Sequence, residues 1–121
     1  MADFLLPFEQ AVAKADQVEL YESPGLVEDG WYRYEDSSSS TPSIHLRRLR
    51  VLRETPKGVW LDDYVQERFV LKDANKRWAY PTIELARASF LIRKRRQVQH
   101  LKIYLEHAEA VLAAAEKFFN G

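Results

Sequence analysis

Arg87, Phe90, Arg93, Lys94 and Gln97 follow one another at steps of three, three, one and three residues, the spacing that gathers side chains on one side of a helix. Guanidinium groups grip phosphate through their planar fork, and an aromatic ring offers a face to a flat base or a cation. With Trp78 and Tyr80 a few residues upstream, these seven residues form a candidate ligand-binding group for a phosphorylated nucleotide. The chemistry they offer is binding, because the sequence carries no Ser/His/Asp order and no glycine loop for a phosphate. No catalytic residue is assigned. His100 and His107 have no carboxylate or thiolate at ligand spacing, so no metal site is assigned either, and no cofactor is expected.

The element that positions the group is a helix. Pro81 and Thr82 mark its start, Thr82 as the cap and Glu84 as an acid in the first turn, and good helix formers continue to Phe119 before Asn120 and Gly121. Taking Leu91 as position a of a heptad puts Leu91, Val98, Leu105, Leu112 and Phe119 on a. Leu101, Ala108 and Ala115 then fall on d. Val98, Leu101, Leu105, Ala108, Leu112 and Phe119 are thus the expected oligomer seam, in which the helix of one copy meets the same seam of another. Upstream in that register d is occupied by Lys94 and Arg87, so the apolar stripe passes into a stripe of cations. Lys94 lies on the seam and Arg93 beside it, whereas Arg95 and Arg96 point towards solvent.

Before the helix the pattern is that of strands. Residues 7–17, "PFEQAVAKADQ", have the spacing of a short amphipathic helix, and "WYRY" reads as a strand leading into a mobile loop over residues 36–43. "IHLRRLRVLRE" alternates apolar and basic residues, with a slip of phase at Arg47 and Arg48 that suggests a bulge. "TPKG" turns the chain into "VWLDDYV", Asp62 and Asp63 are expected to be exposed at a hairpin tip, "ERFVLKD" is a further strand and "RWAYP" a last short one. The expected fold class is α+β. A single domain of residues 1–121 would comprise a short helix and an antiparallel β-meander over residues 1–82, then one long amphipathic helix over residues 83–119.

The chain has 121 residues, 46% of them hydrophobic and 12% aromatic, enough for one small core. It contains no cysteine, no basic start with a long apolar run and no membrane-length apolar window, so a cytoplasmic protein without membrane attachment is expected. A formal net charge of zero conceals a division. Residues 1–40 carry nine acids against two bases, residues 41–102 fifteen bases against six acids, and residues 103–121 three acids against one base. The acidic first segment is able to cover the basic middle.

The segment "TPKGVW…ERFVLKDANKRWAYPTIELARASFLIRKRRQ", with the Leu/Ala/Glu heptads that follow, resembles a family of small bacteriophage accessory proteins over residues 55–112. The likeness is carried by "KRWAYPT" and "SFLIRKRRQ". The architecture is similar to that of the first Thoeris anti-defence family, β-sheet and long-helix sponges that sequester cyclic ADP-ribose isomers, some members also holding cyclic oligonucleotides. The resemblance implies binding without turnover at pockets between subunits, self-association from dimer to hexamer, and a setting in the cytoplasm of an infected bacterial host cell. The alternative from another class is a protein-binding inhibitor or adaptor of a host defence complex, anti-CRISPR-like and without a small-molecule ligand. Direct nucleic-acid binding by "HLRRLRVLR" and "RKRR" is disfavoured by the balanced charge, by an acidic segment able to neutralise the basic one and by the lack of a groove-reading motif.

Overall fold

The computed structural model describes residues 14–22, 29–37 and 41–121. Of the expected first helix only the end lies among them. Lys14 and Ala15 are helical, and the Gln17 and Val18 amides donate to the carbonyls of Lys14 and Ala15 as the helix ends.

Five strands follow: β1 (Glu19–Tyr21), β2 (Gly30–Ser37), β3 (Ser43–Glu54), β4 (Gly58–Asp63) and β5 (Gln66–Leu71). The long β3 is the spine. It pairs antiparallel with β2 from Ser43 to Arg50 and antiparallel with β4 from Val51 to Glu54, and β4 pairs antiparallel with β5. The expected meander is present, but the sheet is mixed, because β1 pairs parallel with Ser43–His45 of β3. Strands reach Ser37 on one side and begin at Ser43 on the other, so the expected loop over residues 36–43 is shorter; residues 38–40 lie outside the described set.

The phase slip at Arg47 and Arg48 has a different cause from the one expected. Pairing with β2 runs unbroken through Arg33↔Arg47 and Tyr32↔Arg48. What changes is the buried face: Leu46 and its partner Tyr34 are buried on one side, while Leu49 and Trp31 are buried on the other. Alternation puts residues three apart on opposite faces, so Arg47 and Arg48 mark a crossover of cover. The irregularity itself lies between Val51 and Arg53.

The core gathers on the Leu49 side. Trp31, Leu49, Val59, Leu61, Val70 and Ala79 form one buried cluster, with Val51 and Trp78 packed against it. Gly58 stands opposite Leu71, where a Cβ would lie 2.3 Å from the carbonyl oxygen of Val70, so only glycine lets the two strands approach. The residues read as a last strand form no strand; Tyr80 makes one isolated bridge to Tyr32 through paired backbone hydrogen bonds of 2.6 and 2.9 Å. The bridge seats the chain so that Ala79 enters the core, and the backbone then turns into the final helix.

That helix, α1 (Ile83–Asn120), is 38 residues long, about 57 Å at 1.5 Å per residue. Thr82 caps it as expected, its hydroxyl accepting from the Leu85 amide at 3.2 Å. No helix among the described residues is long and apolar enough to cross a membrane. The chain divides into two compact units, residues 1–87 and residues 88–121, the helix passing from the first into the second.

Candidate anion-binding face

The second unit brings four of the nominated residues together. Phe90 is buried, and the Arg93 guanidinium and the Lys94 ammonium lie 5.3 and 5.8 Å from its ring centre. Lys94 Nζ donates to Gln97 Oε1 at 2.7 Å. Helical spacing alone produces this grouping, since residues three and four apart share a face. Arg93 and Lys94 are half-buried, whereas Arg95 and Arg96 are exposed, as the register implies. Two cations against one ring, with an amide beside them, make a face that favours anions and planar groups.

From Leu91 onwards the apolar seam stands in solvent. Leu91, Val98, Leu101, Leu105, Leu112 and Phe119 are between 51% and 84% exposed. Ala108 is exposed as well, and Ala115 half-buried. Such a row of large apolar side chains far exceeds the scattered exposure of ordinary surfaces.

The other nominated residues belong to the first unit and have their own partners there. Arg87 donates through Nε to the Tyr34 hydroxyl at 3.0 Å and through its terminal nitrogen to both oxygens of Glu22 at 3.0 and 3.1 Å. Tyr34 in turn donates to Glu22. The hydrogen bond from Tyr34, followed by that from Arg87, holds the Glu22 carboxyl below its usual range, while burial and the bond to Glu22 push the Tyr34 phenol up. An acid of the first forty residues thus answers a base of the middle, as the charge division suggested.

Trp78 sits among three guanidiniums that sequence reading did not single out. Arg68, Arg33 and Arg47 lie 4.1, 4.9 and 5.3 Å from its ring centre. Glu35 accepts from Arg33 at 2.9 Å and from Arg47 at 3.1 Å, and Asp63 accepts from Arg47 and from Arg68 at 3.1 Å. Arg33 also donates to the Trp78 carbonyl at 2.7 Å. Alternation explains the assembly: Arg33 and Arg47 are register partners two residues from the core pair Trp31 and Leu49, so they extend the same face. The signal was present in the even spacing of "WYR" and "RRL", but only pairing joins the two strands.

Asp63 corrects the expectation for the hairpin tip. Its side chain is 13% exposed and tied to two arginines, whereas that of Asp62 is 46% exposed and 3.8 Å from Arg50. The Arg47 hydrogen bond, against the opposing effect of burial, holds the Asp63 carboxyl below its usual range. Tyr64 and Val65 take the exposed tip, Tyr64 with a left-handed φ of 43°.

Tyr80 lies 5.6 Å from the Arg77 guanidinium, and its hydroxyl accepts from the Arg77 amide at 3.3 Å. His45 is hydrogen-bonded to Ser43 at 2.7 Å and stacked on Tyr21 at 4.9 Å, while Glu35, its register partner, is held by the arginines. No group of three or more His, Asp or Glu among the described residues is placed to hold a metal ion. Clefts open among the described residues of the first unit. One of about 450 Å³ is lined by Trp31, Val51, Val59, Pro81 and the acids Asp29 and Glu54; another of about 350 Å³ lies beside Lys57 and Asp73. Neither contains a nominated residue, and the larger has acids on its wall, unsuited to an anion.

Comparison of the chain with protein-family models, with curated proteins and with solved structures returned no match.

Proposed function

We propose that this protein is a non-catalytic binder that self-associates through α1 and sequesters a phosphorylated signalling nucleotide, a cyclic ADP-ribose isomer or cyclic oligonucleotide, without turnover and in the manner of a phage anti-defence sponge. The observation that carries this reading is the continuity of two features on one helix: the Phe90, Arg93, Lys94 and Gln97 face runs into an apolar seam that is exposed along its length. An exposed seam calls for a covering surface, and covering it brings further side chains to the cations. The nucleotide class rests on the resemblance of "KRWAYPT" and "SFLIRKRRQ" to the phage proteins. Trp78, Tyr80 and Arg87 hold the end of the sheet unit together in this reading, and the ligand falls to the four residues of the second unit.

The test is thermal shift of the purified full chain with cyclic ADP-ribose isomers and cyclic di- and trinucleotides, followed by recovery of the ligand after heat denaturation. A shift of several degrees with the ligand released unchanged is expected, and its loss in Lys94→Glu. Absence of a shift with every nucleotide overturns the reading. The second reading is a protein-binding inhibitor, favoured by one observation: Arg33, Arg47, Arg68 and Arg87 all have acidic partners, while the row of apolar side chains along α1 stands exposed. Capture of a host protein by wild type and not by Leu105→Glu, with no nucleotide effect, supports that alternative.

A further inference from the structure

The helix carries its charges in an order that specifies how a second copy lies on it. In the register that puts Leu91 at a, the four e positions from Arg95 onwards are Arg95, Lys102, Glu109 and Glu116. All four side chains are exposed. Two bases are followed, at the same heptad step, by two acids. When two helices pack antiparallel, e positions face e positions of the other helix; when they pack parallel, e faces g. Antiparallel pairing therefore sets Arg95 opposite Glu116 of the second copy and Lys102 opposite Glu109. By symmetry each pair occurs twice, giving four opposite-charge pairs.

The apolar layers agree with the same alignment. With e facing e in this way, a residues meet d residues: Val98 meets Ala115 of the second copy, Leu101 meets Leu112, and Leu105 meets Ala108. Two layers pair a large side chain with alanine and one pairs two leucines, so close approach of the helices involves no overpacking. The g positions meet g: Tyr104 faces Val111 of the second copy and Gln97 faces Phe118. A parallel pair would place Lys94 against Lys94 in one layer and would offer the e-position bases no acid, since the g positions are Gln97, Tyr104, Val111 and Phe118. Like charges in contact are destabilising.

We propose that the exposed seam of α1 is covered by a second copy of this chain lying antiparallel, with residues 94–119 of each overlapping. Its consequence for the binding face, which rests on the nucleotide reading above, is that each site is built from two chains. Lys94 falls in the layer of Phe119 of the second copy, and Gln97 beside Phe118 of the second copy. The face of Phe90, Arg93, Lys94 and Gln97 thereby gains two aromatic rings that are 74% and 84% exposed in the single chain. A dimer so arranged has two sites, roughly 37 Å apart at 1.5 Å per residue, each with cations from one copy and stacking rings from the other.

Because the chain lacks cysteine, single cysteines report the geometry in the full protein. Leu101→Cys and Leu112→Cys, mixed and oxidised, are expected to give the mixed disulfide as the main product, while each alone stays uncrosslinked. Self-crosslinking of Leu101→Cys alone, or a wild type that sediments as a monomer, overturns the proposal. Variants at exposed positions provide an arm that does not disturb the seam. Arg95→Glu with Lys102→Glu, and separately Glu109→Lys with Glu116→Lys, should each weaken self-association on the order of tenfold or more, and an equimolar mixture of the two should restore it. No recovery in the mixture counts against antiparallel pairing. The two readings separate cleanly: mixed disulfide without nucleotide uptake leaves the dimer standing and the nucleotide reading lost, whereas nucleotide held by a monomer does the reverse.

Discussion

In the sheet unit a core of apolar side chains is hidden and arginines such as Arg33, Arg47 and Arg68 are paired with carboxylates; in the helical unit an apolar seam stands in solvent and the charges are sorted along the chain. Leu49 and Leu61 are 1% and 0% exposed, against 57% and 59% for Leu105 and Leu112. The sheet reaches this state because four strands, β2 to β5, bring residues distant in sequence onto one face, with Trp78 and Ala79 closing it. A lone helix cannot hide a stripe from itself. The sheet unit therefore covers its own apolar face, whereas the helical unit leaves its apolar seam uncovered in the single chain.

The contrast is broken most severely from within the core. Leu61→Ala should lower unfolding stability by about 2–5 kcal/mol, measured by denaturant titration. Leu105→Ala, the same deletion on the helix, should change the unfolding of a dilute monomer by under about 0.5 kcal/mol and show itself in self-association, read by sedimentation. Equal costs for the two would erase the distinction.

A smaller effect belongs to the close approach of β4 and β5. Gly58→Ala should cost about 1–3 kcal/mol, because the new methyl group meets the Val70 carbonyl, a backbone atom, with little room to give. Alanine introduced at an exposed helix site, Gln99→Ala, should instead be neutral or slightly stabilising.

Acid acts on the carboxylates of the sheet unit. The carboxyls of Asp63 and Glu22 are held below their ordinary values by hydrogen bonds from Arg47 and Tyr34 respectively. A depressed carboxylate contributes stability that is present above its ordinary value, about pH 4, and lost as pH falls through its value in the folded protein. The sheet unit should therefore weaken below about pH 4, and Asp63→Asn should flatten that dependence in thermal melts taken across the acid range. The least effect is expected on the exposed helix face: Arg96→Ala should alter stability by under about 0.5 kcal/mol and leave nucleotide uptake intact, in contrast to Lys94→Glu.

Several features were legible in residues close together in sequence. Thr82 as cap, the unbroken helix to its end, the turn at "TPKG" and the pairing of "VWLDD" with the following strand all follow from local propensity and spacing. The grouping of Phe90, Arg93, Lys94 and Gln97 was legible for the same reason, because a helix converts sequence intervals directly into neighbours. The parallel strand β1 was not, since three residues carry too little periodicity to register. Nor was the loss of "RWAYP" as a strand, where one bridge to Tyr32 and the burial of Ala79 replace a ladder.

The long helix, its heptad register and the order of charges along it are already written in the amino-acid order, for each depends on intervals of three, four and seven residues. Which face each strand charge occupies, and which neighbours it meets there, depends on packing. Arg47 and Arg48 are adjacent and alike in sequence, yet Arg47 lies with Trp78, Glu35 and Asp63 while Arg48 lies on the other face, 5.7 Å from the Tyr32 ring. Asp62 and Asp63 differ in the same way. The physical reason is that a strand sends neighbours to opposite faces, and which face is covered is settled by segments far away in the chain.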